Sequence, residues 1–476
     1  MFANVSNQLH EYQGKRVTVM GLGLFGGGVG AARFFAKHGA IVTVTDKRQE
    51  SELSSSIETL RAYPIRYVLG RHESSDFRDA DIVLVNPAVT ADNPLVVMAR
   101  GAGARIEHSI NLLFKLTPNN PKIAVTGSNG KSTTTALVGE MLRVMEPRAL
   151  MGGNIGKCLL DDIETLPAGV PIVLELSSFM LEALQELGQS PTISIVTNLS
   201  PNHLDRHVTM EKYAAVKQNI IAFQTEKDVA VLNADDPSLC SWHKQTKGRV
   251  MYFSLKPKSE GDAAFLDGEK LVARVGCQEE VVAQRSALRL PGRHNVANAL
   301  AATAAALAFG VRPWQIAEAL SMFRGLPHRL EAVARTSEAV TFYNDSIATT
   351  PESVICALAS FDEPITLIAG GSDKGSPFDE LGVAIARKAR RLILIGVTAP
   401  KIEAAVQRAA QDHLLRGPEI IHARNLEHAS KLAATNALPG EAVLLSPACA
   451  SYDMFRNFQE RGELFRAIAR RLTATI

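Results

Sequence analysis

Residues 122–142 read KIAVTGSNGKSTTTALVGEML: an apolar run, a turn holding Gly127 and Gly130, then Lys131 and Ser132 opening a stretch of helical composition. Strand, glycine turn and helix in that order make a phosphate-holding loop, because the N–H groups of the turn and of the helix start face one anion. The general pattern GxxxxGK[ST] is not met, since Val125 stands at its first glycine and only GSNGKST is present. In this reading the amides of residues 127–133 surround the phosphates, Lys131 neutralises β and γ oxygens, and the Ser132 hydroxyl reaches magnesium. ATP or GTP binding is the firmest inference; a glycine turn with a chance lysine is the alternative.

A chain of 476 residues exceeds the roughly 250–300 at which one hydrophobic core stops growing, so several domains are expected. With 21% charged residues and a formal net charge of +2, nothing in the balance argues for nucleic acid or an anionic membrane. The N-terminus lacks a basic segment followed by a long apolar stretch, which points to a cytoplasmic protein. The Ala-rich run Val296–Val311 is shorter than the roughly 18–20 residues a bilayer requires and reads as a buried helix. Five scattered cysteines form no CxxC pair, so neither a disulfide framework nor a thiolate zinc site is expected.

Short β-branched runs alternate with helical stretches throughout: RVTVMGLG, IVTVTD, IVLVNP, KIAVTG, IVLELSS, ISIVTNLS, VAVLNADD, ITLIAGG, LILIG and AVLLSPA. That alternation predicts mostly parallel sheets covered by helices, with chemistry at the carboxyl ends of strands. A strand followed by a glycine turn recurs at Gly21, Gly127 and Gly370. The expected architecture is three α/β domains. These are a Rossmann-like domain over 1–112, a central P-loop-type ATPase domain over 113–325 and a Rossmann-like C-terminal domain over 326–476.

GLGLFG places Gly21, Gly23 and Gly26 after a strand, with Asp46 ending the next one, the spacing of a dinucleotide fingerprint. NAD, another nucleotide or tight strand–helix packing would each select those glycines. Glu175 in VLELSS, and His203 with Asp205 in NLSPNHLDRH, follow strand ends where side chains can converge on metal and phosphates. His203 on its own also fits a capping or core role. Lys217 lies on a helix whose Tyr213, Val216 and Ile220 face the core, where position alone favours a solvated or snorkelling lysine. Asn295 reads as the N-cap of the Ala-rich helix, which leaves Asn298, one turn in, unexplained. In the last third HRLE (328–331), YNDSIATTPES (343–353), GGSDKG (370–375) and SPACASYDMFRNFQERG (446–462) are polar clusters at strand ends. Turn chemistry accounts for any one of them; four together point to a second ligand surface.

Taken together these stretches resemble the Mur ligase family along essentially the whole chain. GSNGKST is similar to the family's GTNGKST, ELSSFMLE to its ELSSFQLE, and LSPACASYDMFRNFQERG to the C-terminal signature of its glutamate-adding branch. The DNPR and HHP boxes of sibling branches are absent. The resemblance implies that the first domain holds the UDP part of UDP-N-acetylmuramoyl-L-alanine, not NAD, with Leu24, Phe25, Asp46 and Lys47 near the uridine diphosphate. Asn154 and His203 would meet the muramoyl part. ATP would lie on Gly127, Ser128, Asn129, Gly130, Lys131, Ser132 and Thr133, its adenine near Asn295 and Asn298, its phosphate and ribose side near Arg329 and Asp345. Two magnesium ions are implied, one on Ser132 and Glu175, the other served by His203 and by Lys217 as a CO2-derived carbamate. Thr349, Lys374, Ser451 and Phe458 would surround the incoming glutamate. Lys131, Glu175, His203 and Lys217 are thus the implied catalytic group.

The implied reaction is ATP-dependent amide formation through an acyl phosphate, adding D-glutamate, by a monomer that binds neither nucleic acid nor membrane. The L isomer is the alternative, as is another amino-acid ligase of the folylpolyglutamate type. From other classes, an NAD-dependent dehydrogenase leaves GSNGKST without a role, and a non-catalytic nucleotide-binding regulator leaves Lys131, Glu175, His203 and Lys217 without one. Where the family usually reads DSKATN, this chain has Ile347 in place of the lysine, and Ser128 replaces a threonine while keeping its hydroxyl.

Overall fold

The computed structural model describes residues 9–23, 27–156, 158–202, 204–373 and 375–474. It contains three sheets in two compact units, the first formed by Met1–Arg285 with Ala297–Leu320 and the second by Ser286–Val296 with Ser321–Ile476. All ten β-branched runs picked out in the sequence are strands, and each pairs in parallel with a neighbour. Among the described residues no helix is long and apolar enough to cross a membrane.

The first sheet consists of β1 (Arg16–Met20), β2 (Ile41–Asp46), β3 (Ile65–Leu69), β4 (Ile82–Val85) and β5 (Arg105–Glu107), in the all-parallel order β3-β2-β1-β4-β5. The order reverses between β1 and β4, so the glycine turn after β1 lies at the switch point where such sheets take ligands. Helix α1 (Gly27–Lys37) returns against the sheet, and Phe34 and Phe35 pack edge to face on Tyr12 in the core. Close approach explains Gly28: a Cβ there would stand 2.2 Å from the Gly21 carbonyl oxygen.

The second sheet takes β6 (Lys122–Thr126), β7 (Leu150–Gly153), β8 (Ile172–Glu175), β9 (Ile193–Val196), β10 (Val229–Asn233), β11 (Arg249–Ser254), β12 (Ala263–Asp267), β13 (Lys270–Val275) and β14 (Gln278–Gln284). Their order is β14-β13-β12-β11-β10-β9-β6-β8-β7, parallel except for the antiparallel edge β12–β14. Here the switch point is at β6, between β9 and β8. Val125, at the missing first glycine, is a fully buried residue of that strand, so the phosphate loop is short because β6 runs one residue past it. Helices α2 (Lys131–Met145), α3 (Ser178–Leu187) and α4 (Met210–Ala222) flank the sheet. One apolar core continues from the first sheet into the second, from Leu9 to Trp242.

The Ala-rich helix α5 (Arg293–Phe309) is buried all round from Ala299 to Ala306, as a helix apolar on every face demands. It starts three residues earlier than the capping argument expects. The Pro291-Gly292 turn begins the helix, so Asn295 lies in its first turn and donates from Nδ2 to the Pro291 carbonyl at 2.7 Å instead of capping.

The third sheet, in the second unit, comprises β15 (Glu331–Arg335), β16 (Thr341–Asn344), β17 (Ile365–Ala369), β18 (Ala389–Leu394), β19 (Glu419–His422) and β20 (Ala442–Leu445). Its order is β15-β16-β20-β17-β18-β19, with only β15 antiparallel. Helix α6 (Phe458–Ala474) brings the fully buried Arg461 beneath the loops that leave β16 and β20. The guanidinium donates to the Ser346 hydroxyl and carbonyl (2.9 and 2.9 Å) and to the Cys449 carbonyl (3.1 and 3.2 Å). Burial pushes it down to about 10, against the pull of Asp453, so it stays charged at neutral pH.

Arg461→Ala would leave buried carbonyls unpaired, at about 1–3 kcal/mol each. Urea unfolding should show a loss of about 3 kcal/mol or more; a loss under about 1 kcal/mol would mean the loops hold without it.

Candidate functional site

The phosphate loop is held open by two glycines that no other residue could replace. Gly127 has φ +143° and a Cβ there would stand 1.9 Å from Thr197 Oγ1; Gly130 has φ +81° and a Cβ there would stand 2.3 Å from Asn298 Oδ1. The loop is held from the end of β9. The Asn198 carbonyl accepts from Ser128 N (3.0 Å), its Oδ1 from Asn129 N (2.9 Å), and Thr197 Oγ1 donates to the Asn129 carbonyl (2.6 Å). Ser128 Oγ donates to the Ser200 carbonyl at 2.8 Å. Helix α2 starts at Lys131, so its first-turn N–H groups and dipole point into the loop. Lys131 Nζ folds back onto the carbonyls of Gly127 (3.0 Å) and Ser128 (2.9 Å).

Lys217 is not solvated, as position alone favoured; it is 1% exposed. Its Nζ donates to Thr126 Oγ1 (3.1 Å) and to the Gly127 carbonyl (3.0 Å), and stands 4.8 Å over the Tyr213 ring. Burial, and secondarily the Lys131 charge, push it down to about 6, against the pull of Glu175. At neutral pH it is therefore mostly a neutral, nucleophilic amine. Glu175 ends β8 at 1% exposure; its Oε1 accepts from Asn154 Nδ2 (2.8 Å), while its buried Oε2 has no hydrogen-bond partner among the described residues. An orphaned carboxylate oxygen beside a phosphate loop suits a hard divalent cation, and Ser132 stands at the start of α2. Among the described residues no three His, Cys, Asp or Glu side chains group to hold a metal by themselves. Asn298, buried, takes Thr134 Oγ1 at 3.3 Å, which gives it a place beside the loop in the same unit.

At the first sheet's switch point, Asp46 is turned inward. Its Oδ2 accepts from Leu22 N (3.0 Å) and Gly23 N (3.2 Å) and its Oδ1 from Arg48 N (3.0 Å), so it shapes the glycine turn, whereas Lys47 is exposed.

In the second unit Asp345 is buried, with Ser446 Oγ donating to Oδ2 (2.7 Å) and Leu330 N to Oδ1 (3.1 Å). Desolvation raises it to about 7 despite those bonds and the nearby Arg329. Arg329 itself has a buried Nε without a hydrogen-bond partner among the described residues. Thr349 is half-buried after β16, Ser451 is buried after β20, and the Phe458 carbonyl accepts from Ser346 Oγ at 2.8 Å. The GGSDKG turn is clasped by Asp453, which accepts from Ser372 Oγ (3.3 Å), and by the Lys401–Asp373 ion pair.

The structure thus places Gly127–Thr133, Asn154, Glu175, Lys217 and Asn298 in one unit, and Arg329, Asp345, Thr349 and Ser451 in loops beside strands of the other, with Phe458 at the start of α6. Leu24, Phe25, His203 and Lys374 lie outside the described residues. Sequence reasoning missed Thr197, Asn198 and Arg461. The first two were legible as the TNLS end of the strand beside the loop, the last only as an unassigned charge within FQERG.

Three family models match successive parts of the chain. Residues 15–107 match the family "Mur ligase MurD-like, N-terminal domain", 125–306 the "Mur ligase middle domain" and 328–449 the "Mur ligase, glutamate ligase domain". A "UDP-N-acetylmuramoylalanine--D-glutamate ligase" of Roseiflexus sp. (strain RS-1) is 44% identical over 471 residues, covering 97% of this chain and 100% of the relative. The protein of that name from Symbiobacterium thermophilum is 40% identical, covering 96% and 98%. Among solved structures, the UDP-N-acetylmuramate-alanine ligase MurC of Thermotoga maritima aligns with TM-score 0.60 at 22% identity, covering 97% of this chain and 100% of that one. A pseudomurein peptide ligase type C from Methanothermus fervidus gives 0.57 at 18%, covering 96% and 100%. These two likenesses concern the fold.

The buried Asp345 carries a pH signature. Folded, it keeps its proton to about 7, whereas the unfolded side chain loses it near 3.8, so between those values the native state binds more protons. Stability therefore falls as pH rises through that window. Unfolding of the wild type and of Asp345→Asn at pH 4, 5.5 and 7 should show a downward component that the variant lacks; equal slopes would refute the raised value.

Proposed function

The chain belongs to the Mur ligase family, and on that premise we propose that it is an ATP-dependent ligase acting in peptidoglycan precursor synthesis. It joins the amine of D-glutamate to the alanine carboxylate of UDP-N-acetylmuramoyl-L-alanine. The observation that carries this reading is the joint burial, at one phosphate loop, of a lysine and a carboxylate whose Oε2 has no hydrogen-bond partner among the described residues, in a chain similar over its whole length to D-glutamate ligases.

The chain's own groups divide the work. The loop amides of residues 127–133 and the N-terminus of α2 hold the ATP phosphates, with Asn295 and Asn298 at the adenine and Arg329 and Asp345 at the phosphate and ribose side. Ser132, Glu175, His203 and Lys217 would hold magnesium, which supplies charge neutralisation at the transferred phosphoryl group. Leu24, Phe25, Asp46, Lys47 and Asn154 take the UDP-linked substrate; Thr349, Lys374, Ser451 and Phe458 take glutamate. The alanine carboxylate attacks the γ-phosphorus, ADP leaves, and Lys131 offsets the negative charge that accumulates. The free amine of glutamate then attacks the acyl phosphate carbonyl, loses a proton and expels phosphate, leaving the amide. Alignment of three substrates contributes a large share of the barrier reduction.

Lys217 is read as a carbamate. Its neutral amine attacks CO2 and loses a proton, which converts a poor cation ligand into an anionic oxygen ligand. The depression to about 6 keeps that amine available at neutral pH.

Phosphate release with ATP, UDP-N-acetylmuramoyl-L-alanine and D-glutamate tests the assignment; release with L-glutamate alone would reverse the stereochemistry, and none with either would sink it. Lys217→Ala should retain under about 1% of activity, since ordering and charge at the phosphoryl group are worth several kcal/mol, and short carboxylates should restore part of it. A fully active variant excludes the carbamate.

A further inference from the structure

The short helix Leu204–His207 comes directly after His203 and is anchored by residues to which the proposed reaction gives no part. Arg206 makes three contacts at once. Its Nη2 donates to Glu182 Oε2 (2.8 Å), its Nη1 to the Ala88 carbonyl (3.1 Å), and its guanidinium lies 5.1 Å over the Phe179 ring. Only 19% of its side chain is exposed. His207, buried, bonds Ser178 Oγ through Nε2 (2.9 Å), stacks on Phe179 (5.8 Å) and tilts on Tyr213 (5.3 Å). Tyr213 in turn places its hydroxyl 3.3 Å from Ser128 Oγ in the phosphate loop and its ring beneath Lys217.

The other end of this chain of contacts lies in the first sheet. Ala88 belongs to a tight turn after β4, in which Asn86 Oδ1 accepts from Ala88 N (3.0 Å) and the Asn86 carbonyl accepts from Val89 N (2.9 Å). Asn86 packs against the glycine turn: a Cβ on Gly21 would stand 3.3 Å from Asn86 Cβ. A cavity beside the junction is lined by Pro87, Val89, His108, Phe179 and Glu182.

We propose that Arg206, held by Glu182, is a positioning residue for the UDP-linked substrate: it fixes the Asn86–Val89 turn beside the glycine turn and ties both to the phosphate-loop side of the second sheet. Guanidinium is the group the place requires. It offers coplanar donors to a carboxylate and a carbonyl while its face rests on an aromatic ring, which an ammonium cannot reproduce. The inference rests on the proposed substrate of the first domain, and all its contacts lie within the first unit.

The test compares wild type with Arg206→Ala, Arg206→Lys, Glu182→Gln and the Arg206→Ala/Glu182→Gln double variant. Arg206→Ala should raise KM for UDP-N-acetylmuramoyl-L-alanine at least tenfold and leave KM for glutamate within twofold, a split that general loss of structure would not give. Arg206→Lys should fall between, and the double variant should be no worse than Arg206→Ala, because both lose one coupled pair. Hydrogen exchange supplies an activity-free reading: amides of residues 86–90 should exchange at least tenfold faster in Arg206→Ala, with strands of the second unit unchanged. A KM for the UDP-linked substrate within twofold of wild type, or unchanged exchange at 86–90, overturns the proposal. If the wild type releases no phosphate, the functional reading fails, while exchange and calorimetric titration with UDP still decide whether Arg206 sets this turn.

Discussion

The register of β6 between its two parallel neighbours is the constraint on which the first unit's chemistry depends. Val125 stands opposite Glu175 on one side and Ile195 on the other, and Thr126 opposite Val196. Three strands therefore end level, and their carboxyl ends deliver three groups to one place: Gly127 beyond β6, the Glu175 side chain at the tip of β8, and Thr197 with Asn198 beyond β9. A slip of one residue in β8 would turn Glu175 to the opposite face of the sheet. The strands are buried on both faces, so their side chains cannot be redistributed without opening the core. Precision at the loop is thus inherited from packing well below it.

Burial also sets the protonation states. Lys217, Asp345 and Arg461 are each removed from water without an ion pair that would restore the charged form. The first two respond by moving toward neutrality, to about 6 and about 7, while the guanidinium, falling only to about 10, stays charged. The difference comes from their starting values and hydrogen bonding. Lys217 becomes an amine whose charged form is disfavoured beside the phosphate loop, donating to Thr126 Oγ1 and the Gly127 carbonyl; Arg461 keeps four donor contacts that pin two loops of the second unit. One physical cost therefore produces a reactive amine at one point and a rigid scaffold at another.

The parts of this architecture legible in the sequence were those written in local pattern. Ten β-branched runs ending in Gly, Asn, Asp, Ser or Pro were enough to place the parallel strands, and GSNGKST to place the loop. The strands that escaped notice are β3, β5, β7, β11–β16 and β19; several are polar, short or edge elements such as QEEVVAQ, whose state is fixed by their neighbours. Lys217 was misjudged from position for the same reason: helical spacing puts it at the border of an apolar face, and only the tertiary fit of α4 against β6 closes over it. Asn295 lies three residues inside the capping position because the Pro291-Gly292 turn, not the asparagine, starts the helix. Arg461 could be seen as a charge but not as buried, since nothing local distinguishes it from its exposed neighbour Glu460.

The glycine turns of the first two sheets show how one topology is adapted to different ligands. In the first, the amides of Leu22 and Gly23 already donate to the Asp46 carboxylate, so a phosphate in that turn would meet a fixed negative charge. In the second, the corresponding amides of Ser128 and Asn129 are held by the neutral Asn198, and the ammonium of Lys131 lies across the loop. Opposite charges a few ångströms apart are worth on the order of 4 kcal/mol at an effective dielectric constant near 20. On the proposed reading, that difference in sign favours the triphosphate at the second turn.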